Sequence, residues 1–151
     1  DAADQASLPT DGPRPPSLIS LRPDALPSDL DARGWTPRAE ASGDENGVEL
    51  SLLLARSPGR KHGTTGCSVV SAHGELLAVA VSGPLCAAAD RKQSLLEVHP
   101  EVRALGSCVS RGVPTEGGAV YLTAPPCRRS FSSLALAGIR RVVMRKDIPA
   151  Q

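Results

Sequence analysis

Aromatic residues are nearly absent from this chain of 151 residues, which contains one Trp, one Tyr and one Phe. A core must therefore be built from Leu, Val, Ala and Ile, and the length predicts a single domain. The scarcity of aromatic rings also argues against a surface that binds unpaired nucleobases by stacking.

Close cysteine pairs, long apolar runs and an evident secretory signal are also lacking. The cysteines are widely spaced, so we expect reduced, mostly buried thiols in an intracellular protein. No stretch approaches the roughly 18 apolar residues that a membrane-spanning helix needs, and we expect no membrane association. The four cysteines are Cys67, Cys86, Cys108 and Cys127.

Charge is unevenly distributed along the chain, although the net charge is only +1. Residues 1–46 contain four Arg and nine acidic residues, a net charge of −5, whereas residues 47–151 carry +6. A basic domain is compatible with RNA binding, and the alternative is a solvated basic face. The acidic segment could also neutralise the basic one.

Residues 1–46 are predicted to form an extended, Pro-rich arm that precedes a domain of residues 47–151. Seven prolines interrupt any helix or strand ladder there, and the apolar residues lack a sustained period. We expect another molecule to order this arm, with Trp35 among its anchors. The prolines are Pro9, Pro13, Pro15, Pro16, Pro23, Pro27 and Pro37.

The domain itself has the pattern of a layered α/β fold. A first helix is predicted through Val48–Leu54, with Asp44 as its N-cap, and a hairpin of two apolar strands follows around the turn at His73 and Gly74. Two further helix–strand segments alternate after it, which is typical of a sheet covered by helices. They are predicted as a helix over 100–109, a strand over 119–123, a helix over 128–137 and a strand over 139–144.

Three motifs in order resemble those of the zinc-dependent cytidine and deoxycytidylate deaminases. The stretch HPEVRAL at 99–105 resembles H-A-E-x-x-A-L, and GAVYLTAPPC at 118–127 resembles G-A-x-x-Y-V-T-x-x-P-C. LAGIRRVV at 136–143 resembles the following A-G-I-x-x-V-V. The resemblance covers about residues 48–145 and implies a three-layer sandwich with a mixed sheet.

The resemblance also implies a catalytic site at the starts of two helices. In that family one His or Cys and two thiolates hold zinc, and a glutamate moves protons between the bound water and the base. His99 matches the first ligand, Glu101 the proton shuttle and Cys127 the first thiolate. Ser130 stands where the second thiolate belongs, and a neutral hydroxyl is a poor zinc ligand. We therefore expect no zinc in this site, or zinc only if the site is still functional.

Other departures from the family pattern point the same way. Ser82 stands where relatives often have an asparagine that holds ribose, and Pro100 replaces an alanine between His and Glu. Arg128 and Arg129 place positive charge between the two thiolate positions. Simpler roles for the motif residues stay open: Cys127 as a buried thiol, His99 as a helix cap and Glu101 as a partner of an arginine.

The sequence accordingly favours a non-catalytic subunit of a larger assembly. Its partners would be protein subunits and the RNA backbone. By analogy, a ribosome, such as the mitochondrial ribosome, is a candidate host. The alternatives are an active zinc-dependent deaminase and a non-catalytic partner of an active tRNA deaminase. Binding to phosphate groups is predicted for Arg56, Arg60, Lys61, Arg140, Arg141, Arg145 and Lys146.

Overall fold

The computed structural model describes residues 20–21, 35–57, 63–85 and 97–145. Helices and strands alternate along this part of the chain much as the apolar pattern predicts. In chain order they are β1 (Ser20–Leu21), α1 (Gly43–Ala55), β2 (Gly66–Val70), β3 (Glu75–Val81), β4 (Gly83–Pro84), β5 (Glu97–Val98), α2 (Pro100–Ser110), β6 (Ala119–Leu122), α3 (Arg128–Leu136) and β7 (Arg141–Met144).

A five-stranded sheet in the order β1-β3-β2-β6-β7 forms the middle layer. Strand β2 pairs antiparallel with both β3 and β6, whereas β1 pairs parallel with β3 and β7 pairs parallel with β6. The predicted hairpin is therefore confirmed as β2–β3. Strands β4 and β5 form a separate antiparallel pair that was not predicted.

Each face of the sheet carries its own apolar layer. Side chains of α2 and α3 pack on one face with Cys67, Val69 and other buried residues of the sheet. Leu50 and Leu54 of α1 pack on the opposite face with Val70. Neighbouring residues of β2 contribute to opposite layers because side chains alternate along a strand. The predicted fold class, a mixed sheet between layers of helices, is confirmed.

Helix α1 begins earlier than the sequence prediction placed it. Its N-cap is Ser42 rather than Asp44, and Ser42 and Glu45 exchange both hydrogen bonds of a capping box. Asp44 lies in the first turn, where its carboxylate accepts a hydrogen bond from the Tyr121 hydroxyl at 3.0 Å and pairs with Arg141 at 2.6 Å. The helix thus takes in residues 43–46, which the prediction had assigned to the arm.

Small residues allow α1 to lie directly on the sheet. The Tyr121 ring occupies the space where a side chain at Gly47 would project, with its nearest atom 2.5 Å from an ideal Cβ position. The hydroxyl of Ser51, one turn later, lies within hydrogen-bonding distance of the carbonyls of Gly47 and Tyr121 and of the hydroxyl of Ser68. Both serines are fully buried. The contact between α1 and the sheet therefore combines close backbone approach with a satisfied polar network.

The described part of the predicted arm contacts the domain of the same chain. Trp35 is half-buried and packs against the apolar layer beneath α1. Arg38 pairs with Glu49 of α1 at 2.9 Å, and the Asn46 side chain bonds to the backbone of Arg38. For residues 35–42 the domain itself supplies the contacts that the prediction assigned to another molecule. The remaining arm residues, apart from β1, lie outside the described part.

The helices are short relative to a bilayer. Across the described residues, none is both long enough and apolar enough to cross a membrane.

Candidate active site

The starts of α2 and α3 come together at one end of the sheet. His99 is the N-cap of α2 and Cys127 is the N-cap of α3, each with an extended backbone conformation. Pro100 takes the first helical position, where a missing N–H costs nothing. The imidazole of His99 makes no capping hydrogen bond, so a helix cap is not the role of this side chain.

Ser130 connects these two helix starts. Its Oγ atom lies 3.3 Å from His99 Nδ1 and 3.4 Å from Cys127 Sγ, and its backbone N–H points to the same sulfur at 3.5 Å. Ser130 is buried and Cys127 is exposed. The prediction of a buried thiol at Cys127 was therefore wrong. The structure thus brings together the three residues that the resemblance identifies as ligand positions.

Glu101 lies in the first turn of α2 with its side chain only 3% exposed. Its Oε1 atom is 3.4 Å from His99 Nδ1 and finds no hydrogen-bond partner among the described residues. A pairing of Glu101 with an arginine was one expectation, but the guanidinium of the nearby Arg103 donates to the carbonyl of Pro84. A buried carboxylate oxygen without a donor is costly, so this atom faces the site without the hydrogen-bond donor that it needs.

Ser130 also tunes the thiol of Cys127. Its hydroxyl, and then its backbone N–H, lower the pKa of Cys127 below the ordinary value for a thiol. The two buried cysteines behave in the opposite way, because burial raises the pKa of Cys67 and of Cys108. Both are core residues, as predicted, and Cys86 lies outside the described part of the chain.

We expect iodoacetamide to alkylate Cys127 at lower pH than it alkylates an unperturbed thiol. A lowered pKa leaves more thiolate at a given pH, and the thiolate is the reacting species. Peptide mapping of the native, chelator-treated protein across about pH 6–9 gives the profile for Cys127, with Cys67 and Cys108 protected. Ser130→Ala should move that profile to higher pH, and an unchanged profile would contradict the role of Ser130.

The donor set does not fit the zinc site that the resemblance implies. Two ligands on a tetrahedral zinc lie about 3.3–3.8 Å apart, and the separations of Ser130 Oγ from His99 Nδ1 and Cys127 Sγ agree with that spacing. The chemistry of the donors does not fit zinc, because the third ligand position holds the neutral hydroxyl of Ser130. Within residues 35–57, 63–85 and 97–145, no three His, Cys, Asp or Glu side chains are placed to hold a metal ion.

Ser82 and the two arginines do not complete the site. The Ser82 hydroxyl accepts a hydrogen bond from the Thr65 backbone N–H, so its oxygen already serves the end of the β2–β3 hairpin. Arg128 and Arg129 occupy the first two positions of α3, with exposed side chains.

The basic residues predicted to bind RNA are placed separately along the fold. Arg56 follows α1, and Arg140 and Arg145 flank β7; all three are exposed. Arg141 pairs with Asp44, and Arg145 lines a groove beside α1 that also contains Arg38 and acidic residues. Those acids are Asp44, Glu45 and Glu49. Arg60, Lys61 and Lys146 lie outside the described residues.

The family is decided by a match over most of this domain. Residues 41–146 match the family profile described as the cytidine and deoxycytidylate deaminase zinc-binding region. The chain belongs to this deaminase family. The profile covers α1 through β7 and therefore includes both helix starts of the site.

Solved structures support the deaminase fold. The crystal structure of dCMP deaminase from the cyanophage S-TIM5 in complex with dCMP and dUMP has a TM-score of 0.58 at 21% identity, over 66% of this chain and 78% of that one. The apo form of the same enzyme has a TM-score of 0.55 at 21% identity, over 68% and 81%. At this identity the similarity shows the fold alone.

A curated relative matches over a shorter stretch. ComE operon protein 2 of Bacillus subtilis (strain 168) is 38% identical over 50 residues, which is 33% of this chain and 26% of that protein. The aligned part of this chain thus spans about a quarter of the relative's length.

Proposed function

We propose that this deaminase-family domain is non-catalytic and acts as a structural subunit bound to other proteins. The observation that carries the proposal is Ser130, whose hydroxyl stands at the second thiolate position and is already engaged with His99 and Cys127. A structural zinc site contributes on the order of 10–16 kcal/mol in total, so one missing thiolate removes roughly several kcal/mol of it. That loss is large enough to empty the site at cellular zinc concentrations.

Purified protein is accordingly expected to contain far less than one zinc per chain. Elemental analysis after dialysis against buffered zinc measures the content directly, with Cys127→Ala as the matched control. Wild type and Cys127→Ala should give the same background value, because neither holds a complete ligand set. About one zinc per chain in the wild type, lost in Cys127→Ala, would refute the proposal.

One feature favours a second candidate, an active zinc-dependent deaminase with unusual ligation. Glu101 keeps a buried carboxylate oxygen that has no hydrogen-bond partner among the described residues and lies beside His99. This is the residue that moves protons in active relatives. Assays with cytidine and deoxycytidylate decide between the two candidates. Turnover that disappears in Glu101→Gln would establish the deaminase.

The proposal of a protein partner is supported by large apolar side chains on the outside of the α2–α3 layer. Another protein that covers exposed apolar side chains removes their surface from water, which favours association. Those on α2 and α3 are Val102, Val109, Phe131 and Leu136.

RNA as a partner and a mitochondrial ribosome as the host remain proposals by analogy. The pairing of Arg141 with Asp44, and the acidic neighbours of Arg145, give the RNA part no added support. A basic side chain that already pairs with a carboxylate contributes little to phosphate binding. We therefore propose a protein, rather than RNA, as the main partner.

A further inference from the structure

In this chain a hydroxyl group connects the two side chains that a metal ion would otherwise hold together. Ser130 Oγ lies within hydrogen-bonding distance of both His99 Nδ1 and Cys127 Sγ, and the Ser130 side chain is buried between the starts of α2 and α3. A hydroxyl has one hydrogen to donate and two lone pairs to accept, which is the capacity that a bridge between two neighbours requires.

A second observation, at the same imidazole nitrogen, points to a cation. Glu101 Oε1 is buried and has no hydrogen-bond partner among the described residues, and it faces His99 Nδ1 at 3.4 Å. Charged groups are seldom left buried without a partner, because the cost is high. A cation held by His99, Cys127 and a third strong ligand would lie beside this carboxylate and offset its charge.

We propose that the Ser130 hydroxyl has replaced the metal as the link between α2 and α3, and that residue 130 alone separates this chain from a complete metal site. The inference rests on the proposed absence of zinc from the wild-type protein. It goes further in two respects. The wild-type fold holds without a metal because the hydroxyl bridges the helices, and a thiolate at residue 130 would restore a site for Zn²⁺ or Co²⁺.

The first test concerns the bridge. Removing the hydroxyl in Ser130→Ala deletes two hydrogen bonds at a buried position and should lower the Tm by roughly 4–8 °C. Ser132→Ala is the matched control, because the Ser132 hydroxyl is exposed on the same helix and donates to the carbonyl of Arg128. A chelator should not change the Tm of the wild type. Equal shifts in the two variants, or a Tm that falls with the chelator, would overturn the bridge.

The second test concerns the restored site. Ser130→Cys is titrated with Co²⁺, and the absorption bands that thiolate ligands and tetrahedral geometry give to cobalt report binding directly. We expect one Co²⁺ per chain with an affinity roughly a hundredfold or more above the wild type, since a third strong ligand is added. Zn²⁺ should displace the cobalt and raise the Tm. Ser132→Cys adds a thiol on the exposed face of α3 and should gain nothing.

The ligand set can be verified residue by residue. Adding Cys127→Ala or His99→Ala to Ser130→Cys should abolish the gain in affinity. Ser130→Asp provides a carboxylate ligand at the same helical position, so it keeps the test decisive if Ser130→Cys does not fold.

Failure of this inference can be distinguished from failure of the proposed function. Folded Ser130→Cys and Ser130→Asp proteins that bind Co²⁺ no better than Ser132→Cys would overturn the inference and leave the non-catalytic proposal intact. Stoichiometric, high-affinity zinc in the wild type would overturn both.

Discussion

Replacing Gly66 with alanine is expected to destabilise the domain by about 3 kcal/mol or more. An ideal Cβ at this position would lie 2.1 Å from the Ser51 carbonyl oxygen and 3.3 Å from the Ala55 backbone nitrogen. Both atoms belong to the backbone of α1, so the helix would have to move away from β2. Urea unfolding followed by circular dichroism gives the change in the free energy of unfolding.

Gly106→Ala is the control for the same chemical change. Apart from the local backbone of α2, no heavy atom of the described residues lies within 4 Å of the Cβ position at Gly106, which is exposed on α2. Alanine in a helix interior should stabilise the domain there by about 0.5–1 kcal/mol. The close approach of α1 to β2 would be contradicted if Gly66→Ala unfolded at the same urea concentration as the wild type.

Leu134→Ala is expected to cost about 2–5 kcal/mol in the free energy of unfolding. Leu134 is 1% exposed and is the only buried apolar side chain that α3 contributes to the described core. Its removal would leave a cavity between α3 and the sheet and loosen the helix that positions Cys127 and Ser130. Denaturant unfolding measures the loss, and the alkylation rate of Cys127 reports the local effect.

Leu136→Ala provides the comparison on the same helix. Leu136 is 90% exposed, so truncation should change the free energy of unfolding by less than about 0.5 kcal/mol. Similar losses for both leucines would show that α3 is not anchored through Leu134.

The elements bounded by distinctive residues are those that the sequence predicted well. Pro100 marks the first turn of α2, and Gly138, with φ of +75°, follows the end of α3. The start of α1 was predicted wrongly because Asp44 was taken as the cap, although Ser42 and Glu45 have the spacing of a capping box. Strand β1 was not predicted, since two residues carry no period and their pairing depends on the position of β3.

For the candidate site, the sequence indicated which residues lie together but not how their side chains contact each other. The resemblance to the deaminase motifs assigned His99, Glu101, Cys127 and Ser130 to one site, and the structure places all four close together at the starts of α2 and α3. Spacing does not give side-chain partners, so the two contacts of Ser130 and the unpaired oxygen of Glu101 were not predictable. The pairing of Arg141 with Asp44 joins residues that are 97 positions apart, and no local pattern indicates it.

The buried pair Ser51 and Ser68 has a consequence for the uniqueness of the native state. Apolar layers alone tolerate sliding, because leucines fit several neighbouring sites about equally well. Rotation of α1 by one residue, or a shift along its axis, would take the Ser51 hydroxyl away from the Ser68 hydroxyl and the Tyr121 carbonyl in a fully buried position. The two serines thus favour one position of α1 over neighbouring ones. They do so because unpaired buried hydroxyls destabilise the alternatives, and not because their own hydrogen bonds are strong.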